Sequence, residues 1–240
     1  METGHARIPL LKAEVAKGRY IIIYLDSSES HYSFRAGKHA TLSLSSGNNG
    51  NFDIRRIFSI SSSPNRSDVL RFATEIGDSD FKKKLAGMKP GEQVDVSPPL
   101  GGFFLISDRQ RPVIFITSGI GITPVASIVN WCADEGIGQR ICLVYINKNS
   151  EEELFMEELE GLASRLKNFS IVRITTGDSD ESPSLTFSRV KLDTYAPDID
   201  TGRAIFYVSG KPRFVHDARN ALLSQGIASA SIKTEKFSGY

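Results

Sequence analysis

The sequence predicts two domains, an antiparallel β-barrel followed by an α/β domain built on a parallel sheet. The length of 240 residues suits this, because single domains usually hold roughly 100 to 200 residues. Up to residue 107 the chain alternates short β-branched or aromatic runs with turn residues. From residue 112 it alternates continuous apolar runs with amphipathic ones. We therefore expect domains at 1–107 and 112–240, divided by a polar stretch that ends in proline.

Composition excludes several classes of protein. Hydrophobic residues make up 40% of the chain and charged residues 24%, which are ordinary values for a globular protein with a core. The 29 basic and 28 acidic side chains leave a net charge of +1, so no overall field attracts nucleic acid. The two cysteines and four scattered histidines have no metal-ligand spacing, and we expect no metal site.

Six short strand patterns fill the first domain. They are IPLLKAEVA, YIIIYL, HATLSLS, RIFSISS, VLRFATEI and QVDVS. So many short strands separated by turns are typical of an antiparallel barrel or sandwich. One helix is predicted over 79–88, where Phe81, Leu85 and Met88 recur at helical spacing behind Ser79 as the N-cap.

Strands alternate with helices in the second domain. The predicted strands are PVIFIT, RICLVYI, FSIVRIT, AIFYVS and ASIKTE. Helices are predicted after the first strand to about Glu135, over EEELFMEELEGLASRL and over RFVHDARNALLSQG. Continuous apolar strands between helices indicate a parallel sheet covered on both faces, as in nucleotide-binding domains.

A run without charged residues at 112–133 is long enough to cross a bilayer. Its middle contains Gly119, Gly121 and Pro124, which favour a turn over a continuous helix. We therefore expect no membrane span. Because the N-terminus shows no signal-peptide pattern, the chain is predicted to be cytoplasmic.

The strongest motif is TSGIGITP at 117–124, which follows a buried strand and opens a helix. Gly119 and Gly121 allow positive φ and close approach of an anion, Thr123 is a predicted helix cap, and Pro124 suits the first turn. The backbone amides and helix dipole at such a turn favour a diphosphate. A purely structural turn is the alternative, and the order of strand, turn and helix favours the phosphate site.

A second motif, RRIFSISSSP at 55–64, is a predicted strand with an arginine and interleaved hydroxyls. Alternation places Arg56 and Phe58 on one face and Ser59 on the other. Arginine suits phosphate, the ring offers a flat surface, and the hydroxyl suits a heterocycle. The alternative is a half-buried edge strand with a solvated arginine.

These two motifs, in this order, resemble those of the ferredoxin-NADP reductase family of flavoenzymes. That family carries Arg-x-Tyr-Ser in its flavin domain and G-G-x-G-x-T-P in its nucleotide domain. Four further segments extend the likeness over nearly the whole chain: MKPGEQVDVSPPLGGFF, YINKNSEEELFMEEL, YVSGKPRFVHDARNALLSQG and IKTEKFSGY. The resemblance implies a flavin-dependent oxidoreductase that passes a hydride between NAD(P)H and FAD. Electrons would then go to a separate acceptor, such as ferredoxin or flavodoxin, or to a small acceptor.

On the flavin side, the resemblance implies that Arg56 binds the diphosphate and that Ser59 donates to flavin N5. Phe58 stands where the family usually has Tyr, so stacking is expected without a phenolic hydrogen bond. Further implied flavin contacts are Ala73 and Thr74 at the pyrimidine edge, and Ser79, Phe81 and Lys82 at the diphosphate, an arrangement that favours FAD over FMN.

On the nucleotide side, the resemblance implies a set of coenzyme-binding residues: Ser118, Gly119, Gly121, Thr123, Pro124 and Gly210. Ser118 replaces the first glycine of the family's loop, and Ser209 replaces a cysteine on the nicotinamide side. The expected catalytic residues are Ser59, Ser209 and Glu235.

Two positions bear on the coenzyme and its access. Lys148, between Asn147 and Asn149, is a candidate partner for a 2′-phosphate, which favours NADPH. Phe237 or Tyr240 is expected either to cover the flavin face that nicotinamide reaches or to pack on the sheet edge.

Three alternative functions stay open: a flavin reductase with dissociable flavin, an electron-transfer subunit of a larger complex, and a non-enzymatic nucleotide-binding module. Two cysteines cannot hold an iron–sulfur cluster, so the acceptor is expected outside this chain. Lys82, Lys83 and Lys84, with Lys38 and Lys89, are a candidate docking patch for an acidic partner or else a solvated charge run.

Overall fold

A computed structural model describes residues 5–45, 52–103, 108–177, 187 and 192–237. The described residues divide into two compact units. One unit comprises those within 1–105 and 123–134, and the other comprises those within 106–122 and 135–239. An antiparallel sheet forms the first unit and a parallel sheet with helices the second, which confirms the predicted fold class.

The six strands of the first unit form one antiparallel sheet in the order β4-β3-β6-β1-β2-β5. Their bounds are β1 Ala6–Ala16, β2 Tyr20–Asp26, β3 His39–Ser45, β4 Phe52–Ser59, β5 Val69–Glu75 and β6 Gln93–Val96. Just beyond β4, the N–H of Ser61 donates to the carbonyl of Arg71 on β5 at 2.7 Å. The N–H of Arg71 donates to Ser62 Oγ at 3.1 Å. These bonds join the two edges of the sheet and give it a barrel-like form.

Two helices of the described residues belong to the first unit. α1 (Asp80–Gly87) begins after Ser79, whose hydroxyl accepts a bond from the N–H of Lys82, so the predicted cap is confirmed. Phe81 and Leu85 are buried on one face of this helix, in the core of the sheet. α2 (Ile122–Asp134) is tied to the loop after β4, because Ser127 Oγ donates to the carbonyl of Ser62 at 2.7 Å.

The second unit contains five parallel strands in the order β11-β10-β7-β8-β9. Their bounds are β7 Val113–Thr117, β8 Ile141–Asn147, β9 Phe169–Thr175, β10 Ile205–Gly210 and β11 Ile232–Lys236. Every residue of β7, β8 and β10 is buried. Burial of both strand faces explains why these segments are continuous apolar runs rather than alternating ones.

Within the described residues, the second unit has helices at α3 Met156–Ala163, α4 Leu192–Tyr195 and α5 Pro212–Ser224. α3 packs on β9, and α5 packs on β10 and β11. Short 3₁₀ turns lie at Gly119–Gly121, Ser150–Glu152 and Ser229–Ser231.

The helix predicted over EEELFMEELEGLASRL is wrong in its first turn and a half. A 3₁₀ turn opens the segment, and α3 begins only at Met156 because Phe155 has a φ of 60°. The side chain of Glu153 is 3% exposed and forms an ion pair with Arg173 on β9. This ion pair holds the buried Glu153 carboxylate against β9.

The uncharged run at 112–133 is divided between β7, the turn Gly119–Gly121 and α2. No helix within the described part of the chain is both long and apolar enough to cross a membrane.

Candidate nucleotide and cofactor sites

The order of the strands in the second unit reverses at β7. From β7 the chain continues to β8 on one side, whereas β10 pairs with β7 on the other side. In open parallel sheets, ligands bind beyond the carboxyl ends of the strands at such a switch point. The loop after Thr117 and the residues Ser209 and Gly210 lie at these two strand ends.

The loop after β7 requires both of its glycines. Gly119 has a φ of 53°, which lies in the left-handed region that favours glycine. A Cβ on Gly121 would lie 2.5 Å from the carbonyl oxygen of Ser209 and 2.7 Å from Thr117 Oγ1. Gly121 therefore lets the loop pass directly against β10.

The predicted helix cap at Thr123 is wrong. α2 begins at Ile122, so Thr123 lies within its first turn, with Pro124 after it. The 3₁₀ turn Gly119–Gly121 leads directly into the helix and moves its start towards the N-terminus. Thr123 is 2% exposed, and Ser118, just before the turn, is half-buried.

The hydroxyl of Ser209 is fully buried and bonded within the protein. Its Oγ lies 2.8 Å from the carbonyl oxygen of Gly121 and 3.2 Å from Thr117 Oγ1. Thr117 Oγ1 in turn donates to the carbonyl of Ser209 at 3.0 Å. In this arrangement Ser209 joins β10 to the loop after β7.

Glu235 and Phe237 lie beside Ser209 and Gly210. Glu235 is opposite Ser209 in the register of β10 and β11 and is half-buried. The N–H of Phe237 donates to the carbonyl of Gly210 at 2.9 Å, and the Phe237 side chain is 7% exposed. Tyr240, the alternative aromatic residue, lies outside the described residues.

Two residues of β8 that sequence reasoning did not assign to the loop hold it in place. Asn147 Oδ1 accepts the N–H of Gly119 at 2.8 Å. The hydroxyl of Tyr145 lies 3.0 Å from the carbonyl oxygen of Gly119. The only sequence signal was their spacing of two at the end of a buried strand, which places them on one face of the sheet.

The three residues at 147–149, where Lys148 is predicted to favour NADPH, have different surroundings. Asn147 is fully buried beneath the loop, and Asn149 caps the 3₁₀ turn Ser150–Glu152 by accepting the N–H of Glu151 at 3.1 Å. Lys148 is exposed between them. Its backbone N–H donates to Glu152 Oε2 at 3.1 Å, which fixes where the lysine side chain leaves the backbone.

The backbone N–H groups of Gly119 and Gly121, which the motif predicts as phosphate ligands, already have hydrogen-bond acceptors within the protein. The N–H of Gly119 is bonded to Asn147, and the N–H of Gly121 donates to the carbonyl of Ser118 at 3.1 Å. These two amides are therefore already used within the protein.

In the first unit, Arg56, Phe58 and Ser59 lie together on β4. Arg56 is exposed, and its guanidinium donates to the carbonyl of Arg55 at 2.8 Å. The ring of Phe58 packs on that of Phe81 with centroids 5.3 Å apart, which brings β4 beside the first turn of α1. Phe58 and Ser59 are each only 3% exposed, so Arg56 is the only exposed residue of these three.

The start of α1 combines a helix N-terminus with a positive charge. Ser79 caps the helix, and Lys82 is 7% exposed, which shows that the lysine run is not uniformly solvated. A Cβ on Gly77 would lie 3.1 Å from Lys82 Nζ, so the ammonium group lies close to the backbone just before the helix.

Ala73 and Thr74 lie on β5, where they pair with Ile22 and Ile21 of β2. They are 2% and 0% exposed. Over the described stretches of the chain, no cluster of three or more His, Cys, Asp or Glu side chains is arranged to hold a metal ion.

Known proteins resemble this chain in both sequence and fold. Residues 115–220 match the family model of the oxidoreductase NAD-binding domain. A flavohemoprotein of Xylella fastidiosa is 27% identical over 188 residues, which cover 77% of this chain and 46% of the relative. The toluate 1,2-dioxygenase electron transfer component of Pseudomonas putida is 26% identical over 159 residues, which cover 66% and 46%.

The fold likeness covers nearly the full length. A ferredoxin NADP⁺ reductase from Neisseria gonorrhoeae, solved with bound FAD and NADP, superposes with a TM-score of 0.81 at 21% identity. The match covers 98% of this chain and 99% of that one.

Residues 115–220 therefore resemble an oxidoreductase NAD-binding domain. The chain has the fold of the ferredoxin-NADP reductases, and the resemblance to that family drawn from the motifs is confirmed. The chain spans about half the length of the curated relatives it matches.

Proposed function

We propose that this chain is an FAD-dependent oxidoreductase that oxidises NAD(P)H and passes the electrons to a separate acceptor. The observation that carries the proposal is the loop at the switch point of the parallel sheet. There Gly121 lies directly against Ser209, and the N-terminus of α2 follows. A dinucleotide diphosphate is the ligand that such a strand, glycine turn and helix suit best.

We assign FAD to the domain at 1–107 and NAD(P)H to the domain at 112–240. The donor set in the first of these fits a diphosphate-containing cofactor. Arg56 is exposed on β4, and Lys82 lies close to the backbone at Gly77, just before the N-terminus of α1. Two cations and a helix N-terminus, on elements joined by the Phe58–Phe81 contact, suit two negatively charged phosphates.

FAD, when bound, supplies hydride and one-electron chemistry, and the protein supplies binding, orientation and polarity. We assign Arg56, Ser79 and Lys82 to the diphosphate and Ala73 and Thr74 to the pyrimidine edge. Phe58 and Phe81 shape the site through their mutual packing. Ser59 Oγ is the proposed hydrogen-bond donor to flavin N5.

In the nucleotide domain we assign Ser118, Gly119, Gly121, Thr123, Pro124 and Gly210 to the coenzyme. Glu235 is the proposed catalytic residue at the nicotinamide, and Ser209, which the motif resemblance also made a catalytic candidate, is proposed to position the site. Because the Ser209 hydroxyl is bonded to the loop, its proposed role is to orient the strand end, and the Glu235 carboxylate is the group that can exchange a proton. Phe237 is proposed to close the site from the end of β11, with Tyr240 as its alternative.

Charge at Lys148 leads us to propose NADPH as the preferred coenzyme. The exposed ammonium suits the 2′-phosphate that distinguishes NADPH from NADH. Replacement of Lys148 with alanine is expected to raise the KM for NADPH about tenfold, the effect of losing one charged contact, and to leave the KM for NADH unchanged. An equal change for both coenzymes would contradict the assignment, and Lys167→Ala, a second lysine variant, is the control.

We propose a protein as the acceptor, and ferredoxin or flavodoxin as the first candidates, with a small acceptor as the alternative. Support comes from the names of two similar proteins, an electron transfer component and a ferredoxin NADP⁺ reductase. Lys38, Lys83, Lys84 and Lys89 are the proposed contacts for an acidic partner. The cytoplasm is the proposed compartment.

The visible spectrum of the purified full-length chain tests the proposal. A yellow protein whose released flavin is FAD, and whose flavin band bleaches anaerobically on addition of NADPH or NADH, is the expected result. A colourless protein that oxidises NAD(P)H only with added riboflavin would show a dissociable flavin reductase instead. No NAD(P)H oxidation with any acceptor would contradict the oxidoreductase and leave a nucleotide-binding module.

A second candidate is the reductase part of a larger assembly. This candidate is favoured because the chain spans only about half of the length of the relatives that it matches. Such a chain would be yellow and reducible by NAD(P)H but would pass no electrons to ferredoxin or flavodoxin. A cytochrome c reduction assay with and without each carrier separates the two candidates.

A further inference from the structure

Asn147 is the last residue of β8, and its side chain is fully buried beneath the loop that follows β7. One side-chain atom faces the N–H of Gly119 at 2.8 Å. A backbone N–H can only donate, so this atom is the amide oxygen Oδ1 and the other is Nδ2. Asn147 is therefore oriented by Gly119.

Tyr145, two residues earlier on the same face of β8, reaches the other side of Gly119. Its hydroxyl lies 3.0 Å from the carbonyl oxygen of Gly119 and 3.1 Å from that of Glu152. A hydroxyl has one proton, so it donates to one of these carbonyls at a time. Both backbone polar groups of Gly119 are thus within reach of β8.

These contacts act on the one residue of the turn that has a left-handed backbone. Gly119 has a φ of 53°, and a glycine in a free loop would sample many other conformations. Fixing one residue's backbone carries an entropy cost that a ligand would otherwise have to meet. Because β8 already holds Gly119 in the folded protein, the coenzyme does not have to fix this backbone conformation when it binds.

The second polar atom of the Asn147 amide, Nδ2, indicates that packing alone does not explain an asparagine at this position. Nδ2 is buried and has no hydrogen-bond partner in the described part of the chain. A buried donor without a partner destabilises the fold, whereas an apolar side chain of similar size would not. The compensating interaction that the structure offers is the bond from Gly119 to Oδ1.

We propose that Asn147 is a positioning residue for dinucleotide binding, which acts by holding Gly119 in its left-handed conformation before the coenzyme arrives. Tyr145 supports it from the same strand. The inference rests on the proposed function, in which the loop after β7 binds the coenzyme diphosphate. It adds a residue that does not itself touch the ligand.

Two measurements on the purified full-length chain with its flavin oxidised test this role. Calorimetric titration with NADP⁺ and with NAD⁺ gives the dissociation constant without turnover. Hydrogen exchange of the Gly119 amide, followed by NMR after ¹⁵N-glycine labelling, reports the contact itself. For Asn147→Ala we expect the dissociation constant to rise about three- to tenfold, as for loss of one neutral hydrogen bond, and the Gly119 amide to lose protection.

A conservative variant and a matched control separate positioning from general stability. Asn147→Asp retains an oxygen acceptor, so it should restore protection of the Gly119 amide. Asn168 is the control, because its Nδ2 donates to the carbonyls of Ile137 and Gln139 at 3.0 and 2.8 Å, just before β8 begins. Asn168→Ala should lower the melting temperature and leave the dissociation constant unchanged.

The outcomes distinguish this inference from the proposed function. If the unaltered protein binds neither NADP⁺ nor NAD⁺, the proposed function is wrong. If it binds one of them, and Asn147→Ala binds it equally tightly, the positioning role alone is wrong. Should Asn147→Ala fail to fold, Asn147→Leu, which has a similar volume and no acceptor, provides the same comparison, and an unchanged dissociation constant with unchanged Gly119 protection would overturn the role.

Discussion

Replacing Gly121 with alanine is expected to destabilise the nucleotide domain and weaken coenzyme binding together. The added Cβ would lie 2.5 Å from the carbonyl oxygen of Ser209, 2.7 Å from its carbonyl carbon and 2.7 Å from Thr117 Oγ1. Two of these atoms are backbone atoms in β10, an interior strand that is hydrogen-bonded on both sides. The strain therefore cannot be relieved by turning a flexible side chain.

The magnitude follows from how far the loop must move. The optimal separation of non-bonded heavy atoms is about 3.5 Å, so the loop and β10 must move apart by roughly 1 Å. Overpacking of this kind costs about 1–3 kcal/mol. For a chain of this size each kcal/mol lowers the melting temperature by about 2–4 °C, so a fall of roughly 2–12 °C is expected.

Thermal unfolding followed by circular dichroism, with NADP⁺ titration on the same samples, measures both effects. Gly138→Ala is the matched control, because a Cβ there would meet nothing within 4 Å. If Gly121→Ala has the melting temperature and the NADP⁺ affinity of the control, the close contact with Ser209 is not what makes glycine necessary.

Three further predictions follow from single contacts. Ser59→Ala should slow flavin reduction by NADPH about tenfold or more in stopped flow while FAD content is retained, since one donor in the reacting site is lost; equal rates would contradict its assignment. Arg173→Ala should lower the free energy of unfolding, measured in urea, by about 1–3 kcal/mol, because it leaves the Glu153 carboxylate buried without its partner. The loss should be smaller than for a fully buried ion pair, because Arg173 is 46% exposed. Arg165→Ala is its exposed control, and equal losses would refute the argument. Cys132 and Cys142 should not react with Ellman's reagent at pH 8 until the protein is denatured, because both are buried and burial raises the pKa of the Cys142 thiol; rapid reaction in the native state would contradict this.

Local pattern was enough to predict most of the elements. The strand FSIVRIT is observed at Phe169–Thr175, and the helix over RFVHDARNALLSQG is observed at Pro212–Ser224. The failures have tertiary causes. α3 begins only at Met156, after Phe155 with its positive φ, and Glu153 before it pairs with Arg173 of β9; α2 begins before Thr123 because the glycine turn leads directly into it.

The flavin-side motif shows a further limit of pattern reasoning. Alternation along β4 gives the faces of Arg56, Phe58 and Ser59 but not their accessibility. In the structure Arg56 is exposed, whereas Phe58 packs on Phe81 and Ser59 is buried. The accessibility of a side chain depends on which other elements cover its strand, and the spacing of residues within the strand does not show which elements these are.

Periodicity, turn residues and ordered motifs are local properties of the chain, and they were enough to predict the two-part architecture, the loop at 117–124 and the resemblance to the ferredoxin-NADP reductases. The long-range contacts are visible only in the folded chain. There β10 lies beside β7, Gly121 lies against Ser209 and so must be glycine, and Asn147 and Tyr145 hold Gly119. These contacts join residues 26 to 92 positions apart, and they exist because the order of the parallel strands brings their carboxyl ends to one edge of the sheet.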